Sequence, residues 1–190
     1  MPLDPLLREV ASELKTDRLL LRTPRAGDGA RVHEAVVETL DALRAWPASL
    51  PWAVFEPSVE ASEIYCRESA AAFVKRSSLV YLAFDAEDSL VASLSLHSIE
   101  WTIPKFELGF WCRTSRQRQG LTAEAASELK RYAFDRLGAR RVEAFPDEAN
   151  AGSRAVCEAI GMQFEGTLRN DRITPDGVSR STSVYASVRA

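Results

Sequence analysis

The stretch from residue 106 to residue 138 constrains the chain most, because it changes hydrophobic period with almost no room to spare. "FELGFWC" at 106–112 reads as a strand, "RTSRQRQG" is a polar, Arg-rich loop, and "LTAEAASELKRYAFDRL" is a run of helix formers closed by Gly138. A helix start leaves backbone N–H groups unpaired and carries partial positive charge, so a loop wrapping just before it makes a seat for phosphate. Gly120 allows close backbone approach, and Arg113, Arg116 and Arg118 supply guanidinium groups suited to a nucleotide-like ligand. The competing reading is a solvated basic loop. The segment has neither the GxGxxG of a dinucleotide fold nor the Gly-Lys-Ser/Thr of a P-loop.

Around this segment the elements alternate. "RLLLRT" at 18–23 reads as a strand closed by Pro24, and "DGARVHEAVVETLDALRAW" as a helix, whole or broken in two, opened by a capping-type Asp28. A Pro- and Trp-rich connection, "AWPASLPWAVFEP", leads to a second helical stretch near 58–75. "LVYLAF" at 79–84 and "LVASLSLH" at 90–97 form a hairpin around the polar turn "DAEDS". After the long helix come a strand at 140–145, a short helix at 150–161 capped by Asn150 and ended by Gly161, and strands near 163–169 and 180–188. The order predicts a mixed α/β (α+β) fold.

With 190 residues, 46% hydrophobic and 27% charged, the chain reads as one globular domain, 1–190, with 1–13 as an N-terminal extension. A net charge of −3 gives no field that would draw it to nucleic acid or an anionic membrane. Cys66, Cys112 and Cys157 contain no CxxC pair, which argues against a disulfide framework or a structural zinc and for a reducing compartment. Charged residues interrupt the N-terminus and no run approaches about 20 apolar residues, so the expectation is a cytoplasmic protein.

"QRQGLT" at 117–122 resembles the Q/R-x-x-G-x-G/A acyl-CoA signature of GNAT N-acetyltransferases, placed as in those enzymes between a strand and a long helix. "LKTDRLLLRTPRAGD" at 14–28, "LRAWPASLPWA" at 43–53, "FELGFW" at 106–111, "LTAEA" at 121–125 and "NAGSRAVCEAIGMQFEGTLR" at 150–169 resemble, in order, segments of the RimJ/RimL-type ribosomal-protein N-terminal acetyltransferases. The resemblance implies a GNAT fold, a central, mostly antiparallel sheet with two splayed parallel central strands, flanked by helices. Those parallel strands would be 106–112 and 140–145.

It also implies acetyl-CoA as co-substrate, with no metal. Backbone groups of Phe110, Trp111 and Cys112 would pair with the pantetheine arm, while the amides of Gln117, Arg118, Gln119, Gly120, Leu121 and Thr122 would hold the pyrophosphate. Asn150 caps its helix and, by the resemblance, contacts the pantetheine arm; Ser153 lies near the CoA sulfur as its proton donor. Glu107 is read either as a base in the cleft, sharing a face with Gly109 and Trp111 by the period-two rule, or as a solvent-facing carboxylate. Trp46 and Trp52 either line the acceptor entrance or pack in the core. His33 and His97 read as structural, and Glu124 as a partner of the helix dipole.

The pattern is not followed throughout. Arg118 and Thr122 replace small residues of the motif, Arg172 stands near where a RimL-type enzyme has a carboxylate, and Ser181 stands where an Asp commonly follows Arg. Asp171 is a second candidate base. The acceptor implied is an amine, an N-terminal α-amino group on a ribosomal or other protein or peptide; a small-molecule amine or antibiotic, or a non-catalytic acyl-CoA-binding module, are the alternatives. Monomer and homodimer are equally compatible with the sequence.

Overall fold

The computed structural model describes residues 4–189. Eight strands form a single open sheet in the order β1-β2-β3-β4-β5-β6-β8-β7. They are β1 (Glu13–Lys15), β2 (Leu20–Arg22), β3 (Leu79–Phe84), β4 (Leu90–Glu100), β5 (Lys105–Cys112), β6 (Arg141–Ala144), β7 (Gln163–Ile173) and β8 (Ser179–Val188). Only β5 and β6 are parallel, and their register covers just Lys105–Glu107 against Arg141–Glu143. The helices are α1 (Gly29–Arg44), α2 (Val59–Lys75), α3 (Leu121–Asp135) and α4 (Ala151–Ala159). This is the mixed, mostly antiparallel sheet with one central parallel pair expected from the sequence.

Both faces of the sheet are covered. Leu79, Tyr81 and Ala83 of β3 join the core under α3, with Leu121, Ala125, Leu129 and Ala133, whereas Leu82 and Phe84 pack with Val32, Val36 and Cys66 of α1 and α2. Burial on two sides explains why "LVYLAF" is apolar without alternation.

The two strands part for a local reason. After Ala144 the chain follows β8, through the Asp147–Thr182 bridge and the Ser183 amide donating to the Pro146 carbonyl, while β5 continues along β4 to Cys112. From Leu108 onward, the edge of β5 that faced β6 therefore lacks a strand partner.

Several elements differ from the sequence expectation. The helix from 28 is unbroken, and Asp28 does not cap it: its carboxylate binds the Arg22 guanidinium through two contacts of 2.7 Å and accepts from the Arg25 amide. The amides of Gly27 and Gly29 instead donate to Glu63 of α2. Gly29 is what lets α2 approach, since a Cβ there would meet the Glu63 Cβ at 2.7 Å. The segment read as an N-terminal extension is stitched to the domain: the Ala11 amide donates to the Tyr132 hydroxyl, the Tyr81 hydroxyl donates to the Ala11 carbonyl, and β1 begins at Glu13; residues 1–3 lie outside the described part.

Candidate active site

A cavity of about 1000 Å³ lies between α1, the 46–58 connection, α2 and one face of β3–β6. Alternation decides which β4 and β5 side chains reach it. Leu94, Leu96, Phe106 and Leu108 turn into the core under α3, so Ser93, Ser95, His97, Glu107, Gly109 and Trp111 occupy the cavity face. Cross-strand register then places His97 opposite Glu107 and Ser95 opposite Gly109. The shared face of Glu107, Gly109 and Trp111 is as the period-two rule predicted, and Glu107 faces the cavity rather than open solvent.

Glu107 sits in a polar cluster. One oxygen lies 3.3 Å from Nε2 of His97, and the other accepts from the Ser98 hydroxyl at 2.9 Å. Burial alone would raise the Glu107 pKa, but His97, Ser98 and the Arg172 charge outweigh it and hold the carboxyl below its ordinary range. Ser98 reaches it because β4 bulges between His97 and Glu100, with Ser98 at φ 49°. Nδ1 of His97 lies 3.0 Å from the Ser95 hydroxyl. Sequence reasoning took His97 as structural; the polar-apolar alternation in "SLSLH" was the available signal, and it needed the β4–β5 register to become meaningful.

Other expected site residues divide into two groups. Phe110, Trp111, Asn150, Ser153, Trp46 and Trp52 line the same cavity as Glu107. Trp52 stacks obliquely on Trp111, with ring centroids 6.5 Å apart, and is 42% exposed, so it belongs to the cavity wall rather than the core. Asn150 caps α4 as predicted, accepting from the Ser153 amide at 3.0 Å, which fixes the serine at the first turn.

Cys112, Gln117, Arg118, Gln119, Gly120, Leu121 and Thr122 lie beyond the cavity, where β5 runs out and α3 begins. Gly120 stands at the N-cap of α3 with φ 75°, and Arg118 at φ 58°. These left-handed conformations wrap the loop over the helix start, and residues 117–120 are exposed. Arg18 secures the loop from β2's side, donating to the Gln119 carbonyl and pairing with Glu124, so Glu124 ties α3 to the β1–β2 turn as well as meeting the helix dipole.

Three expectations need correction. Arg113 is paired with Glu34 and Glu38, and Arg116 with Asp85, so of the three loop arginines only Arg118 keeps a guanidinium outside an ion pair. The Gln117 amide, expected to face a diphosphate, already donates to the Thr114 carbonyl. Asp171 is exposed and does not line the cavity; its neighbour Arg172 does, held by a 2.8 Å bond to Ser49.

The thiols are inert. Burial pushes Cys66 and Cys157 up to about 12 and raises Cys112, so none is a thiolate at neutral pH. Among the described residues no cluster of His, Cys, Asp or Glu forms a metal site, and no helix is long and apolar enough to cross a membrane.

Comparison with known proteins agrees with this geometry. Residues 18–163 match the family described as "Acetyltransferase (GNAT) domain". The chain is 25% identical over 177 residues, covering 91% of it and 92% of the relative, to the "Putative ribosomal N-acetyltransferase YdaF" of Bacillus subtilis. Among solved structures, the microcin C7 self-immunity acetyltransferase MccE in complex with acetyl-CoA and AMP superposes with a TM-score of 0.86 at 19% identity, covering 95% of this chain and 98% of that one. The ribosomal L7/L12 α-N-protein acetyltransferase RimL in complex with coenzyme A gives 0.81 at 21%, covering 91% and 95%.

Proposed function

The chain belongs to the GNAT acetyltransferase family, and from that premise we propose that it moves the acetyl group of acetyl-CoA directly to a primary amine, the α-amino group of a protein or peptide. The observation that carries this reading is the continuity of β5: its edge, unpartnered from Leu108 onward, leads from the cavity to the exposed 117–120 loop at the head of α3. The pantetheine arm would lie along Phe110, Trp111 and Cys112 as an added strand, and the diphosphate against Arg118–Thr122.

That placement brings the thioester to the cavity between Glu107 and Ser153. A backbone N–H of the open β5 edge would hold the developing oxyanion, a contribution of roughly 3 kcal/mol per donor. Ser153 would protonate the departing thiolate, and the Trp46 and Trp52 walls would receive the acceptor. In this reading the amine attacks the thioester directly, with no acyl-enzyme intermediate.

A free α-amine titrates near 8 and a lysine near 10.4, so at pH 7 about a tenth of the former and well under a thousandth of the latter is nucleophilic. That difference favours an α-amine. The relative named as a ribosomal N-acetyltransferase points the same way. A small-molecule amine is the second reading, favoured by Arg172, whose charge in the cavity suits an acceptor that also bears an acidic group.

Mass spectrometry of cell-extract proteins and metabolites incubated with the protein and isotopically labelled acetyl-CoA tests both. Label on a protein or peptide N-terminus supports the first reading and label on an acidic small amine the second; no labelled product, with no heat of binding for acetyl-CoA in calorimetry, refutes the transferase reading.

A further inference from the structure

An amine that attacks a thioester must lose a proton, and the depressed pKa of Glu107 makes its carboxylate a weak base near neutral pH. The residue across the strand pair from Glu107, which lines the same cavity, is better suited. Imidazole is the side chain that exchanges a proton most readily near neutrality, and His97 is held at both nitrogens, Nε2 at 3.3 Å from Glu107 and Nδ1 at 3.0 Å from the Ser95 hydroxyl. All three side chains line the cavity.

The local backbone is arranged around this contact. A Cβ on residue 109 would stand 2.8 Å from Cε1 of His97 and 3.0 Å from Oγ of Ser95, so the ring and hydroxyl occupy space that only glycine leaves open. The β4 bulge just past His97 brings Ser98 to the second oxygen of Glu107, fixing the carboxylate.

The Glu107 contact favours one tautomer. An ionised carboxylate only accepts, so its oxygen 3.3 Å from Nε2 favours a hydrogen on that nitrogen. In that tautomer Nδ1 keeps its lone pair, and the Ser95 hydroxyl donates to it. We propose that His97 is the proton acceptor of the transfer reaction, reached through the Ser95 hydroxyl, and that Glu107 is a positioning residue which fixes the ring and its tautomer. This inference rests on the transfer reaction proposed above.

In the step itself the amine nitrogen bonds to the thioester carbonyl carbon and the carbonyl pair moves to oxygen. The amine proton passes to Oγ of Ser95 as the Ser95 proton passes to Nδ1 of His97. The oxyanion collapses, the C–S bond breaks, and the thiolate takes a proton from Ser153. The imidazolium returns its proton to water, from which Ser153 is reprotonated, so the products are the amide and the free thiol. The charged and titratable groups that share this cavity with His97 are Glu107 of β5, Arg172 of β7, Asp147 after β6, Cys157 of α4, Tyr65 of α2 and Glu56 of the preceding connection. Of these, Glu107 is the one 3.3 Å from the ring.

Two measurements test the relay. Long-range 1H–15N spectra of the free protein report the ring tautomer, and with only His33 and His97 in the chain the His97→Asn variant assigns them. The Nε2–H tautomer is expected for His97; a ring protonated on Nδ1 overturns the relay. With labelled acetyl-CoA and each amine that the wild type acetylates, His97→Asn and Ser95→Ala should each lower kcat about 100-fold, leave the calorimetric Kd for acetyl-CoA unchanged, and remove the acidic limb of the pH profile.

Glu107→Gln should lower kcat less than His97→Asn does, because the ring stays in place but loses the carboxylate that positions it. Added imidazole should restore part of the rate of His97→Ala, a rescue that a misfolded variant would not show. Retention of both kcat and the acidic limb in His97→Asn overturns the proposal while the transferase reading stands. A wild-type protein that does not bind acetyl-CoA sinks the transferase reading itself, and the relay with it.

Discussion

Gly109→Ala separates a positioned imidazole from a merely present one. The added Cβ would lie 2.8 Å from Cε1 of His97, 3.0 Å from Oγ of Ser95 and 3.4 Å from Nδ1. Carbon atoms pack comfortably at about 3.5–4.0 Å, so the ring must withdraw by roughly 1 Å. A shift of that size breaks the 3.0 Å hydrogen bond to Ser95 and disturbs the 3.3 Å ion-pair contact to Glu107. The His97 side chain is 37% exposed and can swing outward, so the fold should lose less than about 1 kcal/mol, partly offset by the lower chain entropy of the unfolded alanine variant. Misplacing a catalytic group by about 1 Å costs on the order of 100-fold in rate. The expected result is therefore a kcat lowered about 100-fold, with the denaturation midpoint and the calorimetric Kd for acetyl-CoA near wild type. In combination with His97→Asn the losses should not multiply, since both remove the same relay. A Gly109→Ala enzyme within about twofold of wild-type kcat, or a double variant whose losses multiply, would refute the reasoning.

Ser153→Ala should lower turnover without weakening acetyl-CoA binding, because the cap on α4 uses the Ser153 amide and not its hydroxyl; unchanged turnover in a stopped-time thiol assay removes Ser153 from the mechanism. Arg22→Met should cost about 3–5 kcal/mol in urea unfolding, because it strands Asp28, 9% exposed in its side chain, beside β2 without its guanidinium partner. For Glu38, partial burial is outweighed by the Ser115 contacts and Arg113, which hold it down to about 2. A depressed carboxylate stabilises the fold above its unfolded pKa of about 4.3 and loses that contribution as pH falls toward 2. Urea midpoints of the wild type should thus fall more steeply than those of Glu38→Gln across that window, and parallel curves would show that the contact contributes nothing.

The parts of the site that the sequence disclosed are those built by local backbone. Gly120 at the head of a helix former run, Asn150 three residues before Ser153, and the strand that precedes the loop are all contiguous features, and each sits where its local chemistry placed it. What stayed hidden depends on pairing between distant segments. The roles of Arg113 and Arg116 were misjudged because their partners, Glu34, Glu38 and Asp85, lie far away in the chain. Asp28 looks like a cap, yet its carboxylate serves Arg22 while Glu63, from another helix, serves the amides. β1 went unread because its three residues alternate exposed and buried too briefly to give a period. His97 acquires meaning only from the register that sets it across from Glu107.

The parting of β5 from β6 ties the two halves of the site together. Up to residue 143 the parallel pair is clamped by charge: Arg141 bonds Glu143 at 2.6 Å and Glu165 at 2.6 Å, and Lys105 reaches Glu143 at 3.2 Å. Beyond it β6 ends at Ala144, and the path of Phe145–Asp147 stays with β8 through the Pro146 carbonyl and Asp147, which Arg180 grips with two contacts. Glu107 is the last β5 residue with a parallel partner, so the proton-handling face and the open edge meet at one position. A pantetheine arm lying along the unpaired edge of β5, as proposed above, would therefore end beside Glu107, His97 and Ser95. In the proposed reaction, the same opening that leaves the β5 edge unpaired would also set where along it bond exchange takes place.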